Sequence, residues 1–191
     1  MIVVERPRKR RWPWVVGGFA ALMLVCCVGA IAVWTPISKE YPARLAVVDV
    51  AAGLNRVQDA ETDAATDKLV VQMFREYDVD NGLAEIYADP ASPEKRVILL
   101  AATKLILDPA KELDNGIRGV AGRPIDNLTS YGHLGGHQKC ANTEDGDKVP
   151  VTICAWADHG SIGLGIFYGP WTMDASATVL RDLRQAVVQR G

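Results

Sequence analysis

An uncharged run of 20 residues, Trp14 to Val33, follows a basic N-terminal segment and constrains how the rest of the chain can fold. At about 1.5 Å of rise per residue, a helix of this length spans roughly 30 Å, the thickness of a bilayer's hydrocarbon core. Trp14 and Trp34 mark its two ends, where an indole ring prefers the membrane interface. The run therefore predicts one transmembrane helix over residues 14–34, with Trp14, Val33 and Trp34 as its boundary residues.

Charge around this run predicts its orientation. Residues 1–13 contain five basic side chains, whereas Lys39 and Arg44 are the only basic residues among the 20 that follow Val33 and Trp34. The positive-inside rule then places residues 1–13 in the cytoplasm as a basic tail and the C-terminal domain outside the cell membrane. A signal peptide cleaved after Ala32 is the alternative. Signal peptides have a shorter apolar core of about 7–15 residues, which favours a retained anchor.

Residues 35–43 contain two prolines and predict a short linker, and residues 44–191 predict one extracytoplasmic domain. After residue 34 the chain has 16 Lys and Arg against 22 Asp and Glu, a net charge of −6. An acidic domain is repelled by phosphate, so nucleic acid is not an expected partner. The expected partners are the lipid bilayer, through the N-terminal helix, and an envelope protein.

Apolar spacing predicts an α+β domain with an antiparallel or mixed sheet and about three helices. Helical periodicity marks residues 61–77, the stretch after Asp108-Pro109, and 173–190. Short apolar runs predict strands at 45–50, 83–88, 97–103, 136–141, 151–157 and 161–168. Runs 83–88 and 97–103 should pair as a hairpin, and the order of elements suggests that the helices lie on one side of the sheet.

Cys140 and Cys154 are the only cysteines outside the uncharged run. A polar loop lies midway between them, so an antiparallel hairpin would bring the two residues opposite one another. On the oxidising side of a membrane they should form a disulfide. The next turn begins with Asp158-His159-Gly160, where Asp158 should start a type I turn and Gly160 should supply a left-handed residue. In the strand that follows, Ser161, Gly163 and Gly165 share one small face.

Two chemical alternatives remain open. His133, His137 and His159 fall within 27 residues and are candidate ligands for a transition metal, as in a metal or small-ligand sensor. Asp158, His159 and Ser161 have the composition of a hydrolytic triad, but neighbouring residues on a strand or turn point apart. No cofactor motif or catalytic constellation emerges, so the leading prediction is a non-enzymatic protein.

Three stretches in the C-terminal part of the chain are distinctive, namely Cys154–Ser161, Gly163–Gly165 and Arg181–Arg184. In these stretches the chain resembles uncharacterised single-span membrane proteins of actinobacteria. The resemblance implies membrane anchoring and an envelope location, and it supplies no catalytic residues. Together with the span, it predicts an anchored extracytoplasmic domain that acts as a binding or interaction module of the cell envelope. A secreted-side hydrolase of unrecognised type is the further alternative.

Overall fold

The protein is represented by a computed structural model that describes residues 23, 25–27, 31, 34–121, 125, 127–132 and 135–190. It divides into two units, Met1–Pro36 and Ile37–Gly191. Two of the predicted anchor residues, Trp14 and Val33, lie outside the described residues. Among the residues that are described, no helix is long and apolar enough to cross a bilayer. Trp34 is exposed, in a helical segment that covers residues 34–40 and so includes part of the predicted linker.

The second unit is an α+β domain. Its strands are β1 (Ala43–Leu45), β2 (Val50–Ala51), β3 (Leu54–Arg56), β4 (Asn81–Asp89), β5 (Ser92–Thr103), β6 (Thr129–Tyr131), β7 (His137–Glu144), β8 (Pro150–Ala157), β9 (Ser161–Tyr168) and β10 (Val188–Arg190). Its three longer helices are α1 (Ala60–Glu76), α2 (Pro109–Ala121) and α3 (Met173–Val187). The prediction of an α+β domain is confirmed.

Side-chain caps fix where the three helices begin. The carboxylate of Asp59 accepts the backbone N–H of Thr62, and Asp108 accepts that of Lys111. Thr172 caps α3 in the same way through Ala175. Each cap satisfies an N–H group that has no partner within the helix, which is why a helix starts at each of these residues.

The main sheet has eight strands in the order β2-β3-β4-β5-β9-β8-β7-β6, and every described pair is antiparallel. The predicted hairpin is confirmed as β4 and β5. A separate two-stranded sheet pairs β1 with β10. It joins the start of the domain to its end, because Ala43 lies opposite Arg190.

Helices cover both faces of the main sheet, so the prediction that they lie on one side is wrong. On one face, α3 packs over a core that contains Tyr87, Leu99 and Trp156. On the other, α2 packs over Ile153 and Ala155. The central strand β8 is therefore buried on both faces, as its burial from Val151 to Ala157 shows. Alternating apolar residues of β8 fill two separate cores.

The helix α1 lies on the same face of the sheet as α2. It packs closely over Gly82 of β4, since a Cβ there would lie 3.3 Å from the ring of Phe74. Gly82 pairs with Ala102, and Ala102 pairs with Ile162, which packs on the α2 side. Residues directly opposite in a sheet share a face, so α1 and α2 stand side by side.

Three local predictions need correction. The last helix ends at Val187, and residues 188–190 form β10 because they pair with β1. The predicted strand 45–50 is instead divided between β1 and β2. Gly160 has no positive φ; glycine is needed there because a Cβ would lie 1.9 Å from the backbone oxygen of Glu40.

The small face predicted for β9 is confirmed. A Cβ on Gly163 would lie 2.0 Å from Cη2 of Trp156, so the indole ring lies directly across the backbone of this strand. A Cβ on Gly165 would lie 3.0 Å from Leu180 of α3. The two glycines let a large ring and a helix approach the sheet closely.

Candidate functional site

An apolar cleft of about 200 Å³ lies between α1 and α2, with the sheet as its floor. Strands β5 and β9 form this floor, and each helix supplies one wall. Most of the lining side chains are aliphatic or aromatic, and they include Met73, Tyr77, Val79, Leu100, Ala102, Leu113, Gly116, Ile162 and Leu164.

The cleft exists because the two helices rest on different strands. The helix α1 contacts β4, whereas α2 contacts β7 and β8. Strands β5 and β9 lie between these two supports, so part of their shared face has no helix over it. Small residues deepen the gap at Ala102 on the floor and Gly116 on the wall. The fold thus leaves apolar surface uncovered where the two helices stand apart.

The charged and amide residues that line this cleft are Lys104, Glu112 and Asn115, and none of them is buried. Lys104 forms an ion pair with Glu112, and both side chains are partly exposed. Tyr77 is 57% exposed, so its ring is open to solvent as well as to the cleft. An apolar interior with a few polar groups at one edge is typical of small-molecule sites.

The size of the cleft limits what it can hold. Sites for drug-sized ligands enclose about 300–1,000 Å³, which is more than this cleft provides. An apolar cavity of about 150 Å³, however, binds benzene. The cleft therefore matches a single ring or a short hydrocarbon chain.

A second cluster of polar side chains is centred on Asp158, which is fully buried at the turn between β8 and β9. Its Oδ1 accepts the backbone N–H groups of Gly160 and Ser161, each at 2.7 Å. Its Oδ2 lies 2.5 Å from Nη2 of Arg184 and 2.7 Å from Nη2 of Arg190. The predicted turn residue Asp158 is thus also the counterion of two arginines.

Arg184 is almost as buried as its partner, with 3% of its surface exposed. Burial lowers the pKa of its guanidinium, and the charge of Asp158 opposes that shift. A further hydrogen bond runs from Nη1 to the backbone oxygen of Gly135 at 3.0 Å. The sequence shows Arg184 only as a basic residue near the end of the last helix, and its burial is a finding of the structure. The side chain crosses from α3 to the β8–β9 turn.

The geometry of Asp158, His159 and Ser161 differs from that of a catalytic triad. The Ser161 hydroxyl donates directly to Oδ2 of Asp158 at 2.7 Å and accepts the indole N–H of Trp156 at 3.2 Å. His159 turns away, and its Nδ1–H donates to the backbone oxygen of Ile106 at 2.8 Å. His159 is therefore not placed to remove the proton of Ser161.

The three histidines predicted as metal ligands are only partly described. His133 lies outside the described residues, His137 is exposed on β7, and His159 is bonded to Ile106. The part of the chain that the structure describes contains no cluster of three or more His, Cys, Asp or Glu side chains placed to hold a metal. The metal site remains a prediction.

The predicted disulfide is confirmed. Cys140 on β7 lies directly opposite Cys154 on β8, with their Cα atoms 4.0 Å apart. Both residues are fully buried in the core beneath α3. The bond therefore joins two neighbouring central strands inside the domain and is shielded from solvent.

No family model, curated protein or solved structure matches this chain. The functional argument therefore rests on the sequence and on the two features described above. Of these, the Asp158 cluster is buried, and both carboxylate oxygens of Asp158 accept hydrogen bonds from within the domain. The cleft between α1 and α2 is the one of the two that has room for a ligand, and nothing in the sequence distinguishes its lining residues from other apolar residues.

Proposed function

We propose that this protein is a non-enzymatic, single-pass membrane protein whose extracytoplasmic domain binds a small apolar ligand of the cell envelope. The class of ligand is inferred from the cleft between α1 and α2, which has aliphatic walls and a volume of about 200 Å³. Water in such a cleft has few polar partners, so its displacement by a hydrocarbon group is favourable.

The anchoring part of the proposal is supported by the sequence. The uncharged run from Trp14 to Val33 has the length of a bilayer, and the basic residues lie on its N-terminal side. The Cys140–Cys154 disulfide supports the same orientation, because such bonds persist in oxidising compartments. The resemblance to single-span actinobacterial proteins also favours an envelope location.

Binding can be tested on the full chain in lipid nanodiscs by methyl NMR, with benzene and hexanoate as probes. The methyl groups of Leu113, Ile162 and Leu164 line the cleft, whereas Leu180 lies in the opposite core. Saturable shifts of the three cleft methyl groups, with Leu180 unmoved, are expected. Uniform or unsaturable shifts would show that the probes do not occupy a defined site.

A pair of substitutions on α2 gives a matched control. A Cβ at Gly116 would point into the cleft, 3.5 Å from Cδ1 of Ile162, whereas a Cβ at Gly119 meets no atom within 4 Å. Both Gly116→Leu and Gly119→Leu raise helix propensity, but only the first fills the cleft. Gly116→Leu should abolish the saturable shifts and Gly119→Leu should preserve them. Equal binding by the two variants would refute the assignment of the site.

A further inference from the structure

Two large apolar side chains are exposed on the loop that joins β5 to α2. Leu105 is 47% exposed and Leu107 is 76% exposed, while Ile106 between them is buried. The loop is held firmly, because the backbone N–H of Ile106 donates to the oxygen of His159 at 3.0 Å and its own oxygen accepts the His159 imidazole. Both leucines are therefore presented to the outside by a fixed backbone.

This loop is bonded to the part of the domain that lies nearest, along the chain, to the predicted membrane span. Lys104 N–H donates to the oxygen of Gly160, so the loop lies against the β8–β9 turn. That turn is held in place by Glu40, whose carboxylate accepts the backbone N–H of His159 at 2.8 Å. Two short steps of hydrogen bonding thus connect the leucine loop to Glu40.

The length of chain between Glu40 and the predicted span limits how far this region can lie from lipid. Only five residues lie between Trp34 and Glu40. Even fully extended, the six Cα–Cα steps from Trp34 to Glu40 span at most about 20 Å, less than the thickness of the bilayer's hydrocarbon core. A group fixed next to Glu40 is therefore within reach of the bilayer interface.

Charge does not prevent this approach. The acidic side chains near the loop are Glu40, Asp108 and Glu112, and they are matched in number by Lys39, Lys104 and Lys111. The local balance differs from the net negative charge of the whole domain. Apolar contact, rather than attraction to phosphate, is what this loop offers a membrane.

We infer that Leu105 and Leu107 form a second membrane contact, in which both side chains insert into the interface of the bilayer that holds the anchor. The inference rests on the anchoring part of the proposed function. The apolar face of an interfacial helix is buried about 5–10 Å into the boundary between headgroups and acyl chains, and the two leucines offer the same kind of side chain. Lys104 at the edge of the cleft directly precedes Leu105, so the contact sets that edge beside the lipid.

The test uses the full chain with Cys26 and Cys27 replaced by alanine, reconstituted into vesicles of phosphatidylethanolamine and phosphatidylglycerol. An environment-sensitive dye is attached at Leu107→Cys or, as a control, at Val149→Cys. Val149 is 44% exposed and stands at the opposite end of β8, which at about 3.3 Å per residue is roughly 25 Å from the β8–β9 turn. Quenching is then measured with lipids brominated on their acyl chains.

The dye at Leu107 should be quenched several-fold more strongly than the dye at Val149, with its emission shifted to shorter wavelength, and Leu105→Cys should behave like Leu107→Cys. Equal, weak quenching at Leu107 and Val149 in a chain that floats with the vesicles would overturn the inference and leave the anchor intact. A chain that fails to float with the vesicles would overturn the anchor and the inference together.

Discussion

Replacing Asp158 by asparagine should destabilise the domain strongly, because it removes the counterion of a buried arginine. Asp158 is fully buried, and Arg184 is only 3% exposed. Asparagine keeps the shape of the side chain, but it is neutral and has one acceptor oxygen instead of two. Breaking one side of a buried ion pair costs about 3–5 kcal/mol, because the remaining charge stays buried without compensation.

The structure favours the lower half of that range. Arg184 keeps its hydrogen bond to the Gly135 oxygen, and Arg190, which shares the same carboxylate, has 33% of its side chain in solvent. A loss of about 3 kcal/mol is expected, out of the 5–15 kcal/mol by which domains are usually stable. The assay is urea unfolding of the full chain in detergent micelles, followed by tryptophan fluorescence, to which buried Trp156 contributes.

Two further variants make the result specific. Asp182→Asn breaks the Arg181–Asp182 pair, whose side chains are both more than 40% exposed, and should cost less than about 1 kcal/mol. Adding Arg184→Met to Asp158→Asn removes the stranded charge and should recover part of the lost stability. The reasoning would be refuted if Asp158→Asn cost no more than Asp182→Asn.

Three other predictions concern the rest of the core. Replacing Cys140 and Cys154 by alanine should lower the free energy of unfolding by about 3 kcal/mol, the value for a closed loop of about 15 residues, as measured by urea unfolding. Burial raises the pKa of Tyr87 to about 12 from 10.0. The folded chain therefore holds the phenolic proton more tightly than the unfolded chain. The contribution of Tyr87 to the free energy of unfolding should be complete below pH 10.0 and should be lost as the pH rises through about 12. Urea unfolding measured as a function of pH tests this. Gly163→Ala should cost about 1–3 kcal/mol by forcing the adjacent indole ring to move, whereas Gly146→Ala, with no atom within 4 Å, should change stability by less than about 0.5 kcal/mol in the same assay.

The elements that sequence predicts well are those whose cause is local. Asp108 caps α2 through a residue three positions away, and the alternation in β9 follows from the geometry of any strand. The Cys140–Cys154 pair was predictable because a polar turn lies midway between them, which fixes the register of β7 and β8. These signals need no knowledge of the rest of the fold.

The features that the sequence does not reveal depend on contacts between distant residues. Arg184 reads as an exposed basic residue near a helix end until α3 is placed beside the β8–β9 turn, 26 residues earlier in the chain. The side of the sheet that each helix covers depends on strand order, which local periodicity does not encode. The cleft depends on where α1 and α2 lie relative to one another. Gly116 lines the cleft, but the sequence does not distinguish it from any other glycine in a helix.

The claim on which both proposals rest is that a single N-terminal anchor holds the domain outside the cell membrane. Cys140 and Cys154 form a buried disulfide and cannot be labelled, so a new cysteine is needed at an exposed position. We would introduce Val149→Cys into a chain with Cys26 and Cys27 replaced by alanine and treat intact cells with a membrane-impermeant maleimide. Labelling of the membrane fraction before lysis is the predicted result. A thiol that reacts only after lysis would place the domain in the cytoplasm and contradict the proposed function.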